Sequence, residues 1–188
     1  MKKTLLTTLP ALLLACILAA CGGGGGGDDS SEPSPSGYWK MDSHRYVSGG
    51  NSTATTDPTT GITAAVVSTA TSSGGDGSNG AYSGSALTLA FKGAPTDGVY
   101  SIVSDLNAVV TSDATTAPIA VGITVGIDST TGYSRYDALS GKIRVTRDAR
   151  GAYHFYSVDS VPATKTADVL RGVAGAPGSM TLTIVNAY

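Results

Sequence analysis

The feature that most constrains the fold is a run of apolar residues at every second position between residues 119 and 127. The members of this run are Ile119, Val121, Ile123, Val125 and Ile127, and small or polar residues stand between them. Successive side chains of a strand point to opposite faces, so strict alternation predicts a strand with one strongly apolar face. An apolar face must be buried against another surface. We therefore expect this strand to lie at the centre of the core.

Shorter stretches that we also predict to be strands lie on both sides of this strand. They cover residues 38–41, 44–47, 62–69, 87–92, 99–103, 133–139, 142–147, 152–158 and 180–184. Turn residues predict two hairpins: 87–92 with 99–103 through Pro95–Gly98, and 142–147 with 152–158 through Asp148–Gly151. Residues 48–61 are expected to form a loop. The pattern of residues 104–117 fits either a short helix or a crossover loop.

These strands predict the fold class. About nine or ten short strands at this spacing are typical of all-β domains. An α/β fold is disfavoured, because parallel sheets need crossover helices of a dozen residues or more. We expect a single antiparallel β-sandwich or a small closed β-barrel, with these two alternatives left open.

The first residues of the chain have the pattern of an export signal. Two lysines, at positions 2 and 3, precede a mostly apolar segment that runs from Leu5 to Ala20 and ends in small residues. A transmembrane helix needs about 20 apolar residues, and this segment is shorter and interrupted by Pro10. We therefore expect residues 1–20 to be a signal peptide.

The four residues Leu18-Ala19-Ala20-Cys21 resemble the lipobox of bacterial lipoproteins. The resemblance implies cleavage before Cys21, a thioether-linked diacylglycerol on its sulfur, and a further acyl chain such as palmitate on the new amino terminus. An aspartate directly after the lipidated cysteine favours retention in the inner membrane, and Gly22 stands there instead. The resemblance therefore implies the outer membrane, with the domain facing the periplasm or the cell surface.

A flexible tether is predicted after Cys21. Glycine fills positions 22–27, and an acidic stretch and alternating proline and serine follow to Ser36. Glycine loses much backbone entropy on ordering, and no apolar residue here offsets that cost. The expected organisation is thus a signal peptide at 1–20, the lipidated Cys21 with its tether at 21–36, and an antiparallel β domain at 37–188.

Few residues suggest catalysis or metal binding. The two histidines, His44 and His154, have no further ligands at the spacing of a zinc motif. No Gly-x-Ser-x-Gly motif is present. The glycine-rich segment 74–80 could offer oxygen ligands to calcium, but its Asp-Gly and Asn-Gly pairs favour a hairpin loop. We expect no enzyme, cofactor or metal; a hydrolase would need a histidine beside a serine or carboxylate in a cleft.

A binding surface is indicated by tyrosines in the second predicted hairpin and the strand before it. These are Tyr133, Tyr136, Tyr153 and Tyr156. Tyrosine is enriched in recognition surfaces, so these residues suit a carbohydrate or protein partner if they share one surface. In the alternative interpretation, Tyr153 packs inward with Phe155 while Tyr136 and Tyr156 cover the outer face.

The same hairpin carries a basic group, Lys142, Arg144, Arg147 and Arg150. These side chains suit anionic lipid headgroups or acidic sugars, and they equally suit a solvated edge protected by charge from strand pairing.

The overall charge narrows the class of partner. A net charge of −2 leaves no basic footprint for nucleic acid. The expected partners are the membrane, through Cys21, and an envelope protein or a glycan, with the domain itself a monomer. The expected function is a non-enzymatic binding or structural domain. The alternative is a carrier that holds a small apolar ligand in a barrel cavity of about 300 Å³ or more.

Overall fold

The computed structural model describes residues 37–69, 85–112, 117–128, 132–173 and 175–188. The expected signal peptide, the lipobox with Cys21, the tether and the glycine-rich segment 74–80 lie outside the described residues.

Strands dominate the described part of the chain. They are β1 (Tyr38–Met41), β2 (His44–Thr56), β3 (Ile62–Thr69), β4 (Ala86–Lys92), β5 (Gly98–Ile102), β6 (Pro118–Asp128), β7 (Gly132–Ala138), β8 (Lys142–Arg147), β9 (Tyr153–Ser157), β10 (Val161–Leu170) and β11 (Ser179–Val185). One short helix, α1 (Leu106–Thr111), lies between β5 and β6. The all-β prediction is confirmed.

Eight of the strands close into an antiparallel barrel. The order around the ring is β1, β2, β3, β4, β6, β7, β10 and β11, and β11 pairs again with β1. The last pairing places Tyr38 opposite Val185 and Met41 opposite Leu182. Of the two alternatives, sandwich and barrel, the structure is the closed barrel.

The remaining three strands extend the wall at one end. β5 pairs in parallel with the first residues of β6, whereas β7 pairs with the later part of β6. β8 is antiparallel to β5, and β9 is antiparallel to β8. Because β5 is parallel to β6, both β7 and β8 run antiparallel to β6. β8 therefore continues in the direction of β7 beyond a corner at residues 139–141. Phe155 of β9 bridges to Ala187, which connects this extension to the residues after β11.

Apolar side chains from the ring and from the extension share one core. The alternate residues of β6 from Ile119 to Val125 are buried, as predicted for the core strand, and the side chain of Ile127 is not described. The Trp39 and Tyr46 rings stack with centroids 5.5 Å apart. Phe91 of the ring and Phe155 of the extension lie 6.3 Å apart. The extension is therefore part of the barrel's hydrophobic structure.

The predicted hairpin of residues 87–92 with 99–103 is wrong. β4 pairs with β3 and β6, while β5 pairs with β6 and β8. The Pro95–Gly98 segment therefore redirects the chain and does not join two paired strands. Residues 106–111 form the helix α1, which Asp105 caps by accepting a hydrogen bond from the Asn107 N–H at 2.8 Å. No helix in the described ranges has the length and apolar character needed to cross a membrane.

Two stretches of strand carry no apolar period. β2 continues through Ser48 to Thr56, where a loop was expected, and its second half pairs with β3. β10 occupies a region for which no strand was predicted. Its residues after Ala163 are half-buried or exposed. Backbone pairing with β7 and β11, and not the burial of alternate side chains, accounts for most of β10.

Candidate functional site

The structure points one of the four predicted tyrosines into the barrel. Tyr136 is 1% exposed, and its hydroxyl donates to the Pro177 carbonyl at 2.9 Å. Burial raises the pKa of its phenol above the ordinary value, and nearby aspartates add to the shift. Tyr136 is therefore a core residue and not a surface residue, because it shares the inner face of β7 with Ser134 and Ala138.

The other three tyrosines differ in strand or in the face on which they lie. Tyr153 is half-buried and stacks on Phe155 with centroids 6.5 Å apart. Tyr133 is half-buried near the start of β7, opposite Val169. Tyr156 lies on the outer face of β9 and borders a cleft. Of the four tyrosines, only Tyr156 contributes to this cleft.

The cleft is an open recess of about 520 Å³ on the outer face of the β8–β9 hairpin. Its lining is formed by Arg144, Thr146, Tyr156, Ser157 and Val158. Alternation along β8 directs Ile143 and Val145 into the core, so Arg144 and Thr146 point outward. We call this recess, defined by its five lining residues, the hairpin cleft.

Strand register places an arginine between an aromatic and an aliphatic side chain. Arg144 lies opposite Tyr156 of β9 and opposite Val99 of β5. Val99 is 48% exposed. The guanidinium, the phenol ring and the valine thus share one outer face. The outer face at the hairpin cleft therefore combines a cation with apolar surface.

The basic side chains of the hairpin divide into two kinds. Arg147 donates to the Gly151 carbonyl at 3.0 Å and lies 5.3 Å from the Tyr153 ring centroid, so its guanidinium is occupied within the turn. Lys142 and Arg144 are exposed on the outer face, and neither forms an ion pair with a carboxylate in the described ranges. Their charges remain available to an external anion.

A hydrogen-bond network holds the phenol of Tyr156 in place. Its hydroxyl donates to Asn186 Oδ1 at 2.6 Å, and His154 Nδ1 lies 2.9 Å from the same oxygen. Asn186 has a left-handed backbone with φ of 50°. Because the amide oxygen only accepts hydrogen bonds, the Nδ1 of His154 carries a proton in this arrangement. The phenol of Tyr156 is thereby fixed from behind the cleft.

The other ring nitrogen of His154 faces a carboxylate. His154 Nε2 is 3.5 Å from Asp148 Oδ2, and the ring packs against Tyr188 with centroids 4.4 Å apart. The Ala152 N–H donates to Asp148 Oδ1 at 2.8 Å and lowers the pKa of that carboxyl, and contacts with His154 and Arg150 lower it further. The two ring nitrogens therefore face acceptor oxygens, with Nδ1 at hydrogen-bond distance and the buried Nε2 at the longer distance of 3.5 Å and without a hydrogen bond among the described residues.

The other histidine, His44, lies apart from His154. His44 is half-buried at the start of β2, opposite Met41. Within the ranges that the structure describes, no cluster of three or more His, Cys, Asp or Glu residues could hold a metal ion. The glycine-rich segment 74–80 lies outside those ranges.

Sequence reasoning named Arg144 and Tyr156 in separate groups and missed Thr146, Ser157, Val158 and Asn186. A signal for the first three was present in the sequence. Aligning 142–147 with 153–157 about the Asp148–Gly151 turn brings Arg144 opposite Tyr156, and the three missed residues are close neighbours of these two along the chain. Nothing local indicated Asn186, which the neighbouring Phe155–Ala187 bridge brings within hydrogen-bond distance of Tyr156.

Comparisons of the chain with protein-family models, with curated proteins and with solved structures find no match.

Proposed function

We propose that the chain is a bacterial outer-membrane lipoprotein that displays a non-enzymatic binding domain on a flexible tether. The anchor is the lipid on Cys21, as the resemblance of residues 18–21 to a lipobox implies, and residues 21–36 are the tether. The domain is the closed barrel with its three-stranded extension. It acts as a monomer, because closure of the ring pairs the edges of its eight strands, and the outer edge of the five-residue β9 is bridged at Phe155 to Ala187.

The observation that carries this proposal is the contrast between an interior occupied by buried aromatic side chains and a cleft that is open to solvent. Trp39, Tyr46, Phe91 and Phe155 occupy the interior and belong to one buried cluster. The hairpin cleft, by contrast, opens to solvent and combines a cation, hydroxyl groups and an aromatic ring. A binding role on the outer face therefore fits the structure better than carriage of an apolar ligand inside the barrel.

The surroundings of His154 support a non-enzymatic role. A general base needs a ring nitrogen within reach of the proton it removes. In this site one nitrogen faces Asp148 and the other faces Asn186. The histidine thus stabilises the hairpin and supports Tyr156.

The anchor can be tested by metabolic labelling. We expect the full-length chain, produced in a Gram-negative bacterium, to incorporate labelled palmitate and to fractionate with outer membranes. Cys21→Ser should abolish labelling, while Cys16→Ser is the matched control and should keep it. Palmitate label that persists in Cys21→Ser would contradict the proposed anchor.

The side of the membrane can be tested by protease digestion of a tagged chain. Digestion only after permeabilisation of the outer membrane would place the domain in the periplasm. Digestion on intact cells would place it at the cell surface. Recovery of the chain in the soluble fraction, with no membrane association, would contradict the proposal for either side.

A further inference from the structure

We infer that the hairpin cleft binds an acidic sugar, with Arg144 holding the carboxylate and Tyr156 providing the surface on which the sugar ring packs. This inference names a ligand class for the binding domain proposed above and rests on that proposal. It uses side chains on the outer face of the hairpin, which the core leaves accessible to solvent.

The charge of the cleft selects an anion. The guanidinium of Arg144 is planar and can donate two parallel hydrogen bonds to a carboxylate. Lys142 lies two residues away on the same face of β8 and adds a second positive charge. Neither side chain pairs with a carboxylate in the described part of the domain. A ligand carboxylate would therefore meet no internal competitor.

The remaining lining groups select a saccharide. The phenol of Tyr156 is held by Asn186, so little side-chain freedom is lost when a ligand packs against its ring. Val158, which is 44% exposed, extends this apolar surface. On β8, the hydroxyl of Thr146 can donate to or accept from a sugar hydroxyl. The volume of about 520 Å³ lies within the range of small-ligand sites.

An anionic lipid surface fits these groups less well. Recognition of such a surface typically uses a cluster of about four to eight basic residues. Here Arg147 is occupied within the turn and Arg150 lies in the turn itself, so Lys142 and Arg144 are the two basic side chains of the hairpin on the outer face of β8. Arg144 also borders a recess and not a protruding surface. The cleft is therefore better suited to a discrete carboxylated ligand than to a bilayer.

The test is calorimetric titration of the full-length chain in detergent with three probes. These are a trimer of galacturonic acid, its neutral methyl ester, and glycerol phosphate as a headgroup mimic. We expect the acidic trimer to bind and the methyl ester to bind at least about tenfold more weakly, because loss of a charge-assisted hydrogen-bonded pair has an effect of that order.

Substitutions test whether the acidic trimer binds in the hairpin cleft. Arg144→Gln and Tyr156→Ala should each raise the Kd for the acidic trimer by about tenfold or more. Arg171→Gln is the matched charge control, and the Kd of this variant should equal that of the native chain. Arg171 is exposed and follows the end of β10 that pairs with Gly132, away from the hairpin. Circular dichroism and thermal unfolding would verify that each variant is folded.

Several outcomes would overturn the inference. Equal affinity for the acid and its ester would be consistent with a binding domain but would refute recognition of the carboxylate. Tighter binding of glycerol phosphate would favour lipid headgroups, and equal losses in Arg144→Gln and Arg171→Gln would reduce the effect to net charge. Absence of binding to every probe would refute the ligand class, while palmitate labelling of Cys21 tests the anchor independently.

Discussion

Truncation of Phe91 to alanine would measure how completely the barrel interior is filled. The Phe91 ring is fully buried, meets the Tyr100 ring edge-on at 5.0 Å and lies 6.3 Å from Phe155. In a filled core, removal of a phenylalanine ring costs about 3–5 kcal/mol. The two aromatic contacts account for about 0.5–1.5 kcal/mol each. We therefore expect Phe91→Ala to lower the free energy of unfolding by about 4 kcal/mol.

The assay is urea unfolding of the full-length chain followed by tryptophan fluorescence, since Trp39 lies in the same core cluster. With a slope near 2 kcal/mol/M, the midpoint should fall by about 2 M. Val99→Ala is the control, because Val99 is 48% exposed and its truncation should cost less than about 0.5 kcal/mol. A loss below about 1 kcal/mol in Phe91→Ala would mean that the ring borders a void, and the carrier alternative would then be favoured.

Three further predictions concern the wall of the barrel. Ser134→Ala should cost about 1–3 kcal/mol in urea unfolding, because the half-buried Val173 N–H loses its acceptor at 2.9 Å, the hydroxyl of the fully buried Ser134; an unchanged midpoint would contradict this. Gly37→Ala should lower the thermal midpoint strongly, since the added Cβ would lie 1.5 Å from a backbone oxygen, whereas Gly98→Ala has open space; equal midpoints would refute the argument. Asp148 has a folded pKa below its ordinary value of 3.8, so its stabilisation is present above that value and is lost as the pH falls through the folded pKa. Asp148→Asn should therefore reduce the loss of stability on acidification, as measured by urea unfolding at neutral pH and near pH 2, and an unaltered loss would count against this role.

Elements with one apolar and one polar face could be predicted from the sequence. β6 and the β8–β9 hairpin are of this kind, because burial of alternate residues leaves a period of two in the sequence. The core position of Tyr136 could also have been found. Arg135 and Asp137 form an ion pair on the opposite face of β7, so alternation points Tyr136 inward with Ser134.

Elements that depend on distant backbone pairing could not be predicted. β10 and the second half of β2 contain small and polar residues whose order shows no period, and hydrogen bonds to neighbouring strands hold them. The same limit explains the wrong β4–β5 hairpin. A turn sequence indicates where the chain bends but not which strands pair, and here β6 lies beside both strands.

The candidate site combines both kinds of information. Arg144 and Tyr156 lie across a local hairpin, so their proximity could be inferred from strand spacing and the turn. Asn186, which fixes Tyr156, is 30 residues away along the chain and depends on the barrel for its position. Side chains that support a site from a distant segment leave no local pattern.

The pairing of β1 with β11 has a consequence for the timing of folding. Tyr38 and Val185 are neighbours in the ring but lie at nearly opposite ends of the domain sequence. Contacts between residues so distant in sequence slow folding, because the intervening chain must be ordered before they form. The barrel cannot close until its last strand is available. If the chain is exported as we propose, this dependence would help to keep the domain unfolded, and so able to pass through the membrane, until passage is nearly complete.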